Sequence, residues 1–168
     1  LAGRREFMSL GGLDRHDRPR VFLLSTTHGG ETHALAAAIA TMKVYETEPV
    51  IAHLERQGTR LRVQVNHAIE RHGVNGFVKV LGRSSCLLFA TLDHHGNPSQ
   101  SFRSLFLQET IRRGVLMPSL VLSYSHTDSD IDRTVEAIDG ALSVYRKALD
   151  DGVEHYLVGR PSQIVFRR

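Results

Sequence analysis

Between Pro49 and Gly73 the chain repeats apolar residues at helical spacing: Val50, Ile51, Leu54, Leu61, Val65, Ala68 and Ile69. Residues three and four apart share one helix face, so a stripe this long demands a surface to cover it. Pro49 suits the start of that helix, where a missing N–H costs nothing, and Gly73 suits its stop. A second stripe, Ile131, Val135, Ile138, Leu142, Tyr145 and Leu149, comes after Thr127. Thr127 with Asp130 three residues on has the spacing of a capping box. The box prefers Glu or Gln, but the charge of Asp also suits a helix start.

The segments between these two helices change period. Residues 76–81 and 85–92 read as strands, and Gly82-Arg83-Ser84 is short enough for a hairpin. Residues 94–98 read as a loop. Residues 101–113 are helical, with Phe102, Leu105, Phe106 and Ile111 inward and Gly114 as the stop. Pro118 precedes a third expected strand at 120–123. Upstream, 21–24 is a short apolar run fit for a buried strand, and 31–45 is an Ala-rich helix. This order predicts a small sheet covered by helices on one face. Burial of that face, at about 25 cal/mol per Å², is the main stabilising term.

Composition narrows the function classes. The single cysteine, Cys86, excludes a disulfide framework and fits a reducing cytosol. Its apolar neighbours Leu87, Leu88 and Phe89 predict a small buried core residue. The net charge of +3 is interleaved rather than blocked, and aromatics are 7% with no Trp, which points away from nucleic acid. No apolar run reaches membrane-spanning length, and no membrane partner is expected. Of the ten histidines, His67 and His72 flank Glu70 in an inverted zinc-like pattern. On a helix, however, they lie about 140° apart, and no metal is expected.

One stretch has the character of an anion site: Ser25-Thr26-Thr27-His28-Gly29-Gly30-Glu31-Thr32, opening the Ala-rich helix. Unpaired N–H groups of a first helical turn and the helix dipole favour negative charge, and paired glycines allow close approach. The bland reading of the same residues is a Ser/Thr helix cap.

Three segments together resemble the C-terminal part of the class III, pyridoxal-phosphate-dependent aminotransferases. They are Leu1-Ala2-Gly3-Arg4-Arg5-Glu6-Phe7-Met8, residues 25–38, and residues 114–138 containing Ser125-His126-Thr127-Asp128-Ser129-Asp130-Ile131-Asp132. The branch most resembled is that of the glutamate-1-semialdehyde 2,1-aminomutases. The resemblance implies an α/β chain, a fragment of the fold-type-I transferases. Residues 1–45 would end the large cofactor-binding domain and form a linking helix. Residues 46–168 would form the small C-terminal α+β domain, a short antiparallel sheet covered by helices. The chain opens on Leu1 rather than Met, and most of the large domain is expected to be missing.

The resemblance further implies amino-group transfer or a 2,1-aminomutase reaction with pyridoxal 5'-phosphate, in a cytoplasmic homodimer acting on an amino acid or amine. Thr27 matches the residue that hydrogen-bonds the phosphate of the neighbouring subunit's cofactor, with His28 and Gly29 beside it. This chemistry needs a Schiff-base lysine. None of Lys43, Lys79 and Lys147 matches the family position, so no catalytic residue is assigned and the fragment alone is expected to be inactive. Gly30-Glu31-Thr32 stands where the family turn carries Gly-Asn-Pro, and near a phosphate Glu31 must point away. Pro118 stands where the aminomutases carry a glutamate, which leaves simple transamination open. His126 is expected to cap or brace its region. The rival reading is a non-catalytic interaction or dimerisation module that shares the small-domain fold.

Overall fold

A computed structural model of the chain describes residues 4–8 and 30–163. It divides into two compact units, Leu1–Thr47 and Glu48–Arg168. The first contains α1 (Arg5–Met8) and α2 (Thr32–Thr47), and α2 buries none of its residues. The predicted strand at 21–24 lies outside the described residues.

The second unit builds its core on α3 (Val50–Arg71), with Pro49 at the N-cap. Gly73, at φ +63°, donates its N–H to the Glu70 carbonyl and turns the chain inward. Val50, Leu61, Val65, Ala68 and Ile69 are buried as the stripe predicts. Ile51 is not: it is 64% exposed, because it sits one residue round from the stripe's centre in the first turn.

β1 (Val78–Arg83) pairs antiparallel with β2 (Cys86–Thr91), from Val78 opposite Thr91 to Arg83 opposite Cys86. Leu87, Phe89 and Thr91 face the core. Strand alternation therefore turns Cys86 outward, and the expectation of a buried cysteine is wrong. The apolar run Cys86-Leu87-Leu88-Phe89 covers both faces of the strand, and only one face is covered by helices.

The hairpin tip touches α3 at Gly58. A Cβ there would stand 1.7 Å from the Ser84 carbonyl oxygen, so only glycine lets the two backbones meet. Thr59 donates its hydroxyl to Ser84 at 3.0 Å, and Arg62 donates to the Gly82 carbonyl at 2.5 Å.

α4 (Gln100–Arg112) starts at Ser99, whose hydroxyl accepts from the Phe102 N–H. Phe102, Leu105 and Phe106 are buried; Ile111 is 52% exposed, because it lies on the opposite face of α4 from Phe102. Glu109 is buried on α4 between Arg112 and Arg113, at 2.7 and 2.8 Å. Burial raises its carboxyl. Hydrogen bonds from Arg113 and Gln108, with the charges of Arg112 and Arg113, outweigh that and hold it below the usual range.

α5 (Asp128–Asp151) closes the core with Ile131, Ile138, Leu142 and Tyr145. Tyr145 packs on Phe102, ring centroids 4.8 Å apart, and its hydroxyl donates to the Leu92 carbonyl at 2.5 Å. The chain then makes a short 3-10 turn, Val153–His155. Helices α3, α4 and α5 thus pack around the two-stranded sheet, the small α+β arrangement that the element order predicts.

The third predicted strand shrinks to one bridge, Leu87 with Leu120. Its backbone groups go elsewhere. The Ser123 N–H donates to His126 Nδ1, and the His126 carbonyl accepts from His53 Nε2 on α3. With its last N–H taken by a side chain three residues on, the segment does not continue the ladder.

Candidate functional site

Thr27, His28 and Gly29 lie outside the described residues. The described residues resume at Gly30. Gly30 has φ +84° with no atom within 4 Å of a Cβ position, and α2 begins at Thr32 with no acid in its first turn. Glu31 sits with its carboxylate 3.2 Å from His33 Nε2.

The late region, residues 123–132, is built on the N-terminus of α5. The capping box predicted from Thr127 and Asp130 forms in full: the Thr127 hydroxyl accepts from the Asp130 N–H, and Asp130 Oδ2 accepts from the Thr127 N–H at 2.8 Å. That backbone hydrogen bond, with one from the Thr127 hydroxyl, holds the Asp130 carboxyl below its ordinary value.

α3 clamps the same region from the other side. Gln57, buried in the middle of the apolar stripe, donates to Asp128 Oδ1 at 2.7 Å. This bond lowers the Asp128 carboxyl, helped by the charges of Arg60, Arg56 and His53. Arg60 also reaches Asp132 at 2.7 Å. The His53 ring meets the Tyr124 ring edge-on at 5.1 Å. His126 thus braces the turn, as expected, and no triad forms with Ser125 and Asp128: its Nδ1 is engaged by Ser123. Helical periodicity does not disclose the Gln57 and His53 clamp. Its one signal in the sequence is a polar Gln57 between Leu54 and Leu61 on the inward stripe.

Beside this region lies a cleft of about 270 Å³ between residues 114–122 and the first turns of α5. Met117, Leu120 and Ile131 give it apolar walls, while His126, Asp130 and Arg133 give it polar ones.

The three lysines are dispersed. Lys43 is exposed on α2, Lys79 on β1 and Lys147 on α5. Of the zinc-like trio, His67 and Glu70 are exposed, while His72 pairs with Asp139 at 2.9 Å. Among the described residues no three His, Cys, Asp or Glu side chains gather to hold a metal ion. No helix among them is long and apolar enough to cross a membrane.

No family model matches the chain. It is 30% identical over 127 residues to the glutamate-1-semialdehyde 2,1-aminomutase of Akkermansia muciniphila, covering 70% of this chain and 30% of that protein. The Desulforudis audaxviator aminomutase is 31% identical over 125 residues, covering 68% and 29%. The 3-aminobutyryl-CoA aminotransferase of Cloacimonas acidaminovorans is 26% identical over 152 residues, covering 89% and 34%. The chain therefore spans about a third of the length of these curated relatives. Among solved structures, the FumI protein of Sphingopyxis sp. MTA144, in its PLP internal aldimine form, superposes with a TM-score of 0.61 at 23% identity. That match covers 77% of this chain and 31% of FumI. Similar in sequence to glutamate-1-semialdehyde 2,1-aminomutases and an aminotransferase, and alike in fold to part of a pyridoxal-phosphate protein, the chain bears the resemblance that its own residues carry.

Proposed function

We propose that this chain is part of a pyridoxal-phosphate-dependent enzyme of amino-group transfer, a class III aminotransferase or 2,1-aminomutase. In this reading it works within a longer polypeptide, as a cytoplasmic homodimer acting on an amino acid or amine. The observation that carries the reading is one similarity seen twice: about 70% of the chain matches named aminomutases in sequence, and 77% matches a cofactor-bearing protein in fold.

The donor set suits the phosphate of such a cofactor. Thr27 offers a hydroxyl, and the amides of His28 and Gly29 precede a helix start with no acid in its first turn. Glu31 is held beside His33, so its charge is balanced locally. The bound cofactor supplies an electron sink at the carbon that carries the amino group. The chain's own part is to donate hydrogen bonds to the phosphate of the neighbouring subunit and to form the small domain.

Thr27→Val in the full dimer tests this. Loss of a hydrogen bond to a charged group, at about 1.5–3 kcal/mol, weakens cofactor affinity roughly tenfold or more. Unchanged affinity removes the phosphate role. A second reading, a non-catalytic module of the same fold, draws on the dispersal of Lys43, Lys79 and Lys147. It predicts that the dimer forms but never takes up cofactor.

A further inference from the structure

The cleft beside residues 114–122 holds a cation, Arg133, whose charge helps to lower the Asp130 carboxyl in the same cleft. Arg60, Arg71, Arg112, Arg113 and Arg146 each reach a carboxylate. Arg133 lines the cleft and has no carboxylate within ion-pair distance among the described residues.

Its guanidinium lies beside Gly114, whose φ is +80° and where a Cβ would stand 2.9 Å from Arg133 Nη2. His126 lines the same cleft. Its Nδ1 accepts from Ser123 at 3.1 Å, which leaves the ring proton on Nε2 as a second donor. Asp130 is also present, with Oδ2 occupied by the Thr127 N–H and hydroxyl at 2.8 and 2.7 Å. Its negative charge opposes a dianion more than a monoanion. The walls are apolar at Met117, Leu120 and Ile131, all buried. At about 270 Å³ the cleft has room for a small molecule only.

We propose that this cleft binds a small monocarboxylate with a short apolar chain. Arg133 takes the carboxylate, His126 Nε2 donates to it, and the chain lies on Met117, Leu120 and Ile131. The proposal is independent of the amino-group-transfer reading and stands or falls without the cofactor.

The test uses the whole 168-residue chain with labelled methionine methyl groups, titrated with hexanoate, hexanol and inorganic phosphate. Met117 is the reporter, and Met8 and Met42 are internal controls. The expected result is a saturable shift of the Met117 methyl with hexanoate alone. Arg133→Gln weakens that binding at least tenfold, and Arg133→Lys, which keeps the charge but not the forked donors, weakens it less. Arg133 is exposed, so thermal melts of both variants should match the parent. Three results overturn the proposal: no saturable shift at Met117, equal binding of hexanol or phosphate, or unchanged hexanoate binding in Arg133→Gln.

Discussion

Gly58→Ala sets two measurable effects against each other. In a helix interior, alanine is favoured over glycine by about 0.8–1 kcal/mol. Propensity alone therefore predicts a more stable protein. The structure predicts the opposite. The new Cβ would lie 1.7 Å from the Ser84 oxygen and 2.4 Å from its carbonyl carbon, both backbone atoms, where ordinary contact begins near 3.4 Å. No side-chain rotation relieves that, so the hairpin tip must retreat from α3. The retreat strains the Thr59–Ser84 and Arg62–Gly82 bonds, each worth about 0.5–1.5 kcal/mol. Forced repacking behind Leu87 adds about 1–3 kcal/mol. After the propensity gain is subtracted, the net loss is about 1–5 kcal/mol. Urea unfolding followed by far-UV circular dichroism measures it. Gly76→Ala is the control, since nothing lies within 4 Å of its Cβ position. A Gly58→Ala protein as stable as the parent would refute the close approach of hairpin and helix.

Thr127→Ala removes the hydroxyl cap of α5 and one of the two hydrogen bonds to Asp130 Oδ2, leaving the backbone one; a loss of about 1 kcal/mol is expected in thermal melts. Tyr145→Phe strands the buried Leu92 carbonyl and should cost about 1–3 kcal/mol by urea titration, with no new cavity. Glu109, Asp128, Asp130 and Asp139 all have carboxyls held below their ordinary values. Their stabilisation is therefore complete above the unfolded-state values, about pH 4–4.5, and is lost as pH falls through the lower folded values. The urea midpoint should drop on acidification below that range. The drop should be shallower in Glu109→Gln than in the parent, and parallel acid limbs would exclude Glu109 from it.

The legible parts of this fold are those decided locally. Pro49, Gly73, Gly114 and Thr127 punctuate helices through their own local chemistry, and each does so in the structure. Periodicity finds the inward stripes of α3 and α5 for the same reason. Where sequence and structure part, the question is which face has a partner. Cys86 lies in an apolar run, but the hairpin is covered on one side only, so alternation exposes it. Ile51 lies one residue round from the buried Val50, and Ile111 lies on the face of α4 turned away from Phe102, Leu105 and Phe106. The strand expected at 120–123 keeps one bridge, Leu120 with Leu87, and then ends in a local turn where the Ser123 N–H donates to the His126 ring. Gly58 reads as a weak point in a helix until the hairpin tip is brought against it. The proposed phosphate contacts, Thr27, His28 and Gly29, rest on family resemblance rather than periodicity. The cleft at Arg133 depends on the approach of Gly114 and α5, which no local pattern encodes.

The visible absorption spectrum of the polypeptide extended upstream of Leu1, titrated with pyridoxal phosphate, tests the central claim most directly. The account predicts a saturable band, distinct from free cofactor, that changes when an amino donor is added. A purified, folded dimer that leaves the free cofactor's spectrum unaltered at every concentration would contradict it.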